Sequence, residues 1–269
     1  MTAYFYGARR IVCLTEETTE ALYLMGEQDR IVGISGFTVR PAIARKEKPK
    51  VSAFTSAKID KILALKPDLV LAFSDMQADI AAELVKAGLQ VHVFNQRSVA
   101  EIFNMLHTLG GLIGEPEKAA VLVAEYQQNI NACIEQAKGY KKKPKIYFEE
   151  WDDPLISGIR WVSELAEMAG GVDCFPELSI EAGGKNRIIA DHKRVIERAP
   201  DIIIGSWCGK KFRPQRVAER EGWGDIPAVK TNQIFEIKSV DILQPGPAAL
   251  TDGLRQLQTI IKNWIDLYG

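Results

Sequence analysis

The chain has 269 residues, 46% of them hydrophobic and 26% charged, with a formal net charge of −1. That composition excludes the disordered and collagen-like classes and gives room for one large domain or two lobes of roughly 100–150 residues. The near-zero charge supplies no electrostatic footprint for nucleic acid or an anionic membrane, and no apolar run approaches the ~20 residues that span a bilayer.

The N-terminus, MTAYFYGARRIVCL, sets Arg9 and Arg10 directly before the first strand and lacks the apolar core and small-residue cleavage site of a secretion signal. As written, the chain reads as cytoplasmic; an exported protein whose leader had been removed would read the same. The first strand, at 10–14, runs straight into Thr15-Glu16-Glu17-Thr18-Thr19-Glu20. A hydroxyl or carboxylate there accepts the free N–H groups of a first helical turn, so this is capping chemistry. Further strand-like runs fall at 31–34, 68–72, 90–94, 145–148, 201–205 and 234–237, separated by helix-patterned stretches. That alternation predicts α/β architecture with mainly parallel sheets.

Between Ser98 and Lys138 there is no strand signal. Ile102, Met105, Leu106, Leu109, Leu112 and Ile113, then Ala120, Val123, Ala124 and Ile130, recur at helical spacing, broken only near Gly110-Gly111 and Gly114-Glu115-Pro116. The pattern predicts a short helix followed by a long one. The resulting division is an N-terminal α/β lobe at 1–97, a connecting helical segment at 98–143 and a C-terminal α/β lobe at 144–269. The basic run Lys141-Lys142-Lys143 with Lys145, at the junction, reads as a solvated face. A weak repeat supports two lobes: DKILALKPDLVLAFSD (60–75) and KRVIERAPDIIIGSW (193–207) share an amphipathic helix, Pro-Asp, an apolar strand and a polar loop with an aromatic.

In open α/β sheets ligands bind beyond the carboxyl ends of the strands. Those ends carry Thr15, Glu16 and Glu17; Phe37 and Arg40; Phe73, Ser74, Asp75 and Gln77; Glu149, Glu150, Trp151, Asp152 and Asp153; Trp207, Cys208, Lys210, Lys211 and Arg213; and Asp241 with Gln244. Aromatics with a few charges are what a cleft presents to a large flat or cationic ligand. Trp151 and Trp207 favour a site. Trp161, followed at helical spacing by Leu165 and Met168, reads equally as core or ligand contact, and Trp264 as packing in a terminal helix. Glu149 and Glu150 read as a general acid/base pair or as carboxylate metal ligands, but His92, His107 and His192 form no motif with them. Cys13, Cys133, Cys174 and Cys208 lack C-x-x-C spacing and read as reduced thiols. Cys208, flanked by lysines, is the one candidate nucleophile. Bare-metal binding rests only on an approach of Cys13 to Cys208, and no G-x-S-x-G, H-E-x-x-H, P-loop or G-x-G-x-x-G motif occurs.

RIVCLTEETTEALYLMGEQDRIVGISG, KIDKILALKPDLVLA, the long helix near 116–138, LISGIRWVSELAEMAGG and DILQPGPAALTDGLRQL follow one another across almost the whole chain. In that order and spacing the sequence resembles the cobalamin-type substrate-binding proteins of ABC importers. The resemblance implies two α/β lobes, each with a mainly parallel sheet, joined by one long backbone helix, with a ligand held non-enzymatically between the lobes. Ligands of that family are cobalamin, haem, iron siderophores and related metal chelates; no resident cofactor or metal is implied. The aromatic contacts it implies fall near Phe37, Phe54 and Phe73, with Trp207 and Asp241. Arg40, Glu150, Lys210, Lys211 and Arg213 would match ligand charge, and Glu16, Glu17, Trp151, Trp161, Cys208 and Gln244 complete the candidate set. Docking on a permease would use Asp60, while the second docking position carries Lys193, a reversal of charge, with Asp191 and Glu197 nearby. The expectation is a cobalamin-like corrinoid or related metal chelate, with a siderophore or haem as the nearest rival and an enzyme using Cys208 or Glu149/Glu150 as the other class.

Overall fold

Ile11, Val12 and Cys13 are all fully buried, as expected of a strand covered on both faces in a parallel sheet. They form β1 (Ile11–Cys13) in the computed structural model, which describes residues 6–269. With β2 (Ile31–Ser35), β3 (Lys50–Ser52), β4 (Leu69–Phe73) and β5 (Val91–Phe94), β1 builds a five-stranded, wholly parallel sheet in the order β3-β2-β1-β4-β5. The chain reverses direction across the sheet between β1 and β4, the switch point beyond which α/β sheets bind ligands.

The second sheet contains β6 (Lys145–Asp152), β7 (Leu155–Ser157), β8 (Val172–Asp173), β9 (Ile202–Gly205) and β10 (Ile234–Glu236), ordered β10-β9-β6-β7. β8 pairs with the first residues of β6, and β7 pairs antiparallel with its last ones; the other pairings are parallel. All seven strands expected from the sequence form. β3, β7 and β8 were not expected, because two or three residues with at most one buried apolar side chain give no periodic signal.

The chain forms two compact units: the described residues up to Gln96 with Ala100–Glu125, and Arg97–Val99 with Tyr126–Gly269. The anticipated helix pair is Val99–Ile113 and Pro116–Lys138, separated at Gly114, whose φ of +73° ends the first helix in the left-handed conformation. The 23-residue second helix contributes residues to both units. The first unit's core includes Val12, Leu14, Val51, Ile62, Val70 and Leu84. That of the second is more aromatic, with Tyr147, Phe175, Trp207, Phe212 and Trp223.

The sequence repeat is also a backbone repeat. Lys66 (φ 47°) and Ala199 (φ 48°) each leave their helix in the left-handed region, immediately before Pro67-Asp68 and Pro200-Asp201. Asp68 then accepts the N–H groups of Arg9 (2.8 Å) and Arg10 (2.9 Å), while Asp201 accepts that of Lys145 (2.8 Å). In both units the aspartate ties the start of its own strand to that of the neighbouring central strand, β1 or β6, a side-chain clamp on otherwise unpaired backbone donors.

Candidate functional site

In the first unit the acid run after β1 turns inward. Thr15 occupies the N-cap position of helix Glu16–Leu24 without a side-chain cap; its hydroxyl donates instead to Glu17 Oε1 at 2.6 Å. Glu16 Oε2 accepts the N–H groups of Val39 and of Arg40 (3.3 Å), in the loop after β2, and Glu20 pairs with Arg40 Nε at 2.8 Å. Glu16 and Glu17 are buried, and burial pushes both carboxyls from 4.5 up to about 7. Glu16, expected to face a ligand, therefore holds a helix to a loop, with Arg40 paired within that bracing, while Glu17 is engaged by Thr15 of its own segment.

Arg45 braces the same loop from its other side, donating to the carbonyls of Gly36 (3.0 Å) and Thr38 (3.1 Å). Held in this way, the loop leaves Phe37 65% exposed and Val39 40% exposed. At the end of β4, the buried Gln77 accepts the N–H of Phe73 at 2.9 Å and donates to the carbonyls of Leu14 (3.4 Å) and Phe54 (2.8 Å). One amide thus fastens together the ends of β1 and β4 and the segment after β3. Phe73 is buried, Phe54 is half-buried, and Met76 beyond them is exposed. The strand ends of this unit expose Phe37, Val39, Met76 and part of Phe54, beside the polar Thr55, Ser56 and Asp75.

In the second unit the two glutamates of β6 are held by separate arginines. Glu149 is fully buried and accepts two N–H groups from Arg220 (2.5 and 2.8 Å), the indole N–H of Trp207 (3.0 Å) and the hydroxyl of Tyr147 (3.0 Å). Glu150 takes two N–H groups of the buried Arg187, at 2.5 and 3.0 Å. With each carboxylate bound to its own cation, neither stands as a free acid/base partner to the other. Sequence reading missed Arg187 and Arg220 because they lie 37 and 71 residues beyond their partners.

Of the tryptophans expected at the site, Trp207 is only 4% exposed and packs edge-on against Phe212, with ring centroids 4.8 Å apart. Trp161 is equally buried and donates its indole N–H to the carbonyl of Ile242 at 2.9 Å, the arrangement of a packed side chain. Trp151 remains half-buried, its N–H donated to the carbonyl of Asp153 at 2.9 Å. Asp241 accepts from Gln256 Nε2 at 3.1 Å, and Gln244 is half-buried. Cys208, Lys210, Lys211 and Arg213 are exposed, and Lys210 is paired with Asp152. The thiol of Cys13 is buried and pushed up to about 12 by that burial, and among the described residues no group of three or more His, Cys, Asp or Glu side chains is placed to hold a metal ion.

Asp60 is exposed in the first turn of helix Ile59–Ala64. Lys193 is exposed as the first residue of helix Lys193–Arg198, and its N–H is accepted by Asp191 at 2.9 Å. Among the described residues no helix is long and apolar enough to cross a membrane.

A family model described as "Periplasmic binding protein" matches residues 11–240. An uncharacterized ABC transporter substrate-binding lipoprotein of Bacillus subtilis is 26% identical over 93% of this chain and 78% of its own. A vitamin B12-binding protein of Vibrio campbellii is 25% identical over 94% of this chain and 90% of its own. The crystal structure of a possible iron-binding, periplasmic solute-binding protein from Staphylococcus epidermidis superposes with a TM-score of 0.81 at 23% identity, covering 94% of this chain and 98% of that one.

Proposed function

Because the chain belongs to the periplasmic binding protein family, we propose that it binds a cobalamin-like corrinoid or related metal chelate, without covalent chemistry. The observation that carries this reading is Phe37, an aromatic ring 65% exposed on a loop braced from both sides by Glu16 and Arg45. An aromatic ring on a braced backbone offers a ligand a large apolar face with only its two side-chain torsions left to order. Val39, Met76 and half-buried Phe54 stand beyond strands of the same sheet, where a tetrapyrrole-like chelate would need further apolar surface. The vitamin B12-binding relatives, aligned over most of this chain, support the same ligand class.

A second reading, haem or an anionic siderophore, is favoured by Lys211 and Arg213, which stand exposed on the loop after β9 and suit a carboxylate-bearing chelate. Titrating the protein's tryptophan fluorescence with cobalamin, cobinamide, haem and a ferric siderophore, corrected for inner-filter absorption, separates the two. Saturable quenching by the corrinoids alone supports the first, and by haem or siderophore alone the second. Silence with all four sinks the chelate reading. Replacing Phe37 with alanine is expected to weaken binding by ~1–3 kcal/mol with the unfolding midpoint unmoved. Unchanged affinity in the folded variant removes Phe37 from the site.

The partner that fits this reading is an ABC importer permease. Exposed Asp60 offers one docking carboxylate on the first unit; on the second, Lys193 replaces it, with Asp191, which accepts the Lys193 N–H, and Glu197 as the exposed acids nearby.

A further inference from the structure

We propose that Trp151, Trp207 and Asp152 form a cage for an alkylammonium group, and that Lys210 of the same chain occupies it in this conformation. The Lys210 ammonium lies 5.3 Å from the ring centroid of Trp151 and 5.1 Å from that of Trp207, and 2.7 and 2.6 Å from the two carboxylate oxygens of Asp152. Two indole faces and a carboxylate around one nitrogen are the recognition chemistry of organic cations. The ring quadrupoles attract the charge, and the carboxylate adds a counter-ion without demanding a small, fully hydrated one.

The cage walls are fixed independently of their occupant. The Trp151 N–H is donated to the carbonyl of Asp153, and the Trp207 N–H to the buried Glu149 carboxylate. Phe212 packs against Trp207, and Trp151 and Asp152 close the long strand β6. The occupant is held less firmly. Lys210 sits beyond β9 next to Gly209, whose φ is +71°, and its side chain is 38% exposed. An ammonium from solution re-forms the contacts to Asp152 and to both rings that Lys210 gives up, so Lys210 can swing out and leave both indoles to it.

While present, Lys210 competes as a tethered ligand at an effective concentration of order millimolar, which masks the cage toward free ammonium compounds. The class of ligand is a primary or quaternary alkylammonium, either a small molecule or a cationic arm of a larger one. The inference goes beyond the chelate reading and does not depend on it.

The test replaces Lys210 with alanine and, in a second variant, with glutamine, and follows tryptophan fluorescence during titration with choline and with its uncharged isostere 3,3-dimethylbutan-1-ol. Choline is expected to quench saturably and at least about tenfold tighter in either variant than in the parent, following removal of the tethered competitor, while the alcohol has no saturable effect. Adding Asp152→Asn to Lys210→Ala is expected to weaken choline about tenfold by removing the counter-ion, while the two indole faces keep a smaller preference for choline over the alcohol. Equal responses to the two compounds in the Lys210→Ala variant, choline affinity indifferent to residue 210, or choline affinity unmoved by Asp152→Asn would each overturn the cage. The chelate titrations use the parent protein and are unaffected by any of these outcomes.

Discussion

Replacing Arg220 with methionine is expected to destabilise the second unit by about 3–5 kcal/mol, the cost of leaving a buried charge without its partner. Glu149 is 0% exposed, and its arginine supplies two of the four donors that reach it. The same guanidinium lies 4.6 Å from the ring centroid of Trp223, inside the aromatic core. Methionine restores much of the lost packing, so the effect isolates the charge. Adding Glu149→Gln is expected to recover more than half of the loss, because the neutral amide still accepts the Trp207 N–H on its oxygen and donates from its NH2 to the Tyr147 hydroxyl oxygen, while no longer needing a cation. Urea unfolding followed by tryptophan fluorescence measures both: the midpoint should fall for the single variant and rise again for the double, with the slope unchanged. A loss below about 1 kcal/mol would mean that water or protonation satisfies Glu149.

That network marks the limit of what the sequence revealed. Strands were legible where uninterrupted apolar runs such as Leu69–Phe73 and Ile202–Gly205 demand burial on both faces. The helical segment was legible from its period. The loops at the strand ends followed from the topology, because a parallel sheet places all of its carboxyl ends together. Which side chains in those loops face outward was not legible. Trp207 and Phe37 are both aromatics beyond a strand, yet one is buried and the other exposed. The difference lies in a carboxylate 58 residues before Trp207 that captures its N–H. For Glu16, the acceptor role is fixed by a loop 23 residues later. Residue type and spacing carry no record of such long-range pairings.

The acid run after β1 predicts an inverted pH dependence. Glu16 and Glu17 bind protons more tightly in the folded protein, at about 7, than their ordinary value of 4.5. Between those values the folded state carries more protons than the unfolded one, so stability is fully present below 4.5 and is lost as pH rises through 7. Each carboxyl contributes a slope of about 1.4 kcal/mol per pH unit inside that window, so the two together amount to roughly 7 kcal/mol at most. Asp173 and Glu167, in the second unit, are also raised by burial and act in the same sense, so the parent's profile alone does not identify the source. The difference between the parent and the Glu16→Gln, Glu17→Gln double variant does. Glutamine keeps an oxygen for the Val39 and Arg40 amides and for the Thr15 hydroxyl, but cannot ionise. At pH 5 the two proteins are expected to unfold at similar urea concentrations; at pH 8 the double variant should be the more stable. A difference that stays flat from pH 5 to pH 8 would show that both glutamates ionise in the folded state as readily as in the unfolded one. The loop carrying Phe37 would then rest on permanently charged Glu16, and ligand affinity would be insensitive to pH across neutrality. If the difference opens as expected, the same titration should appear in the Phe37-dependent part of ligand binding, because Glu16 holds the backbone on which that ring stands.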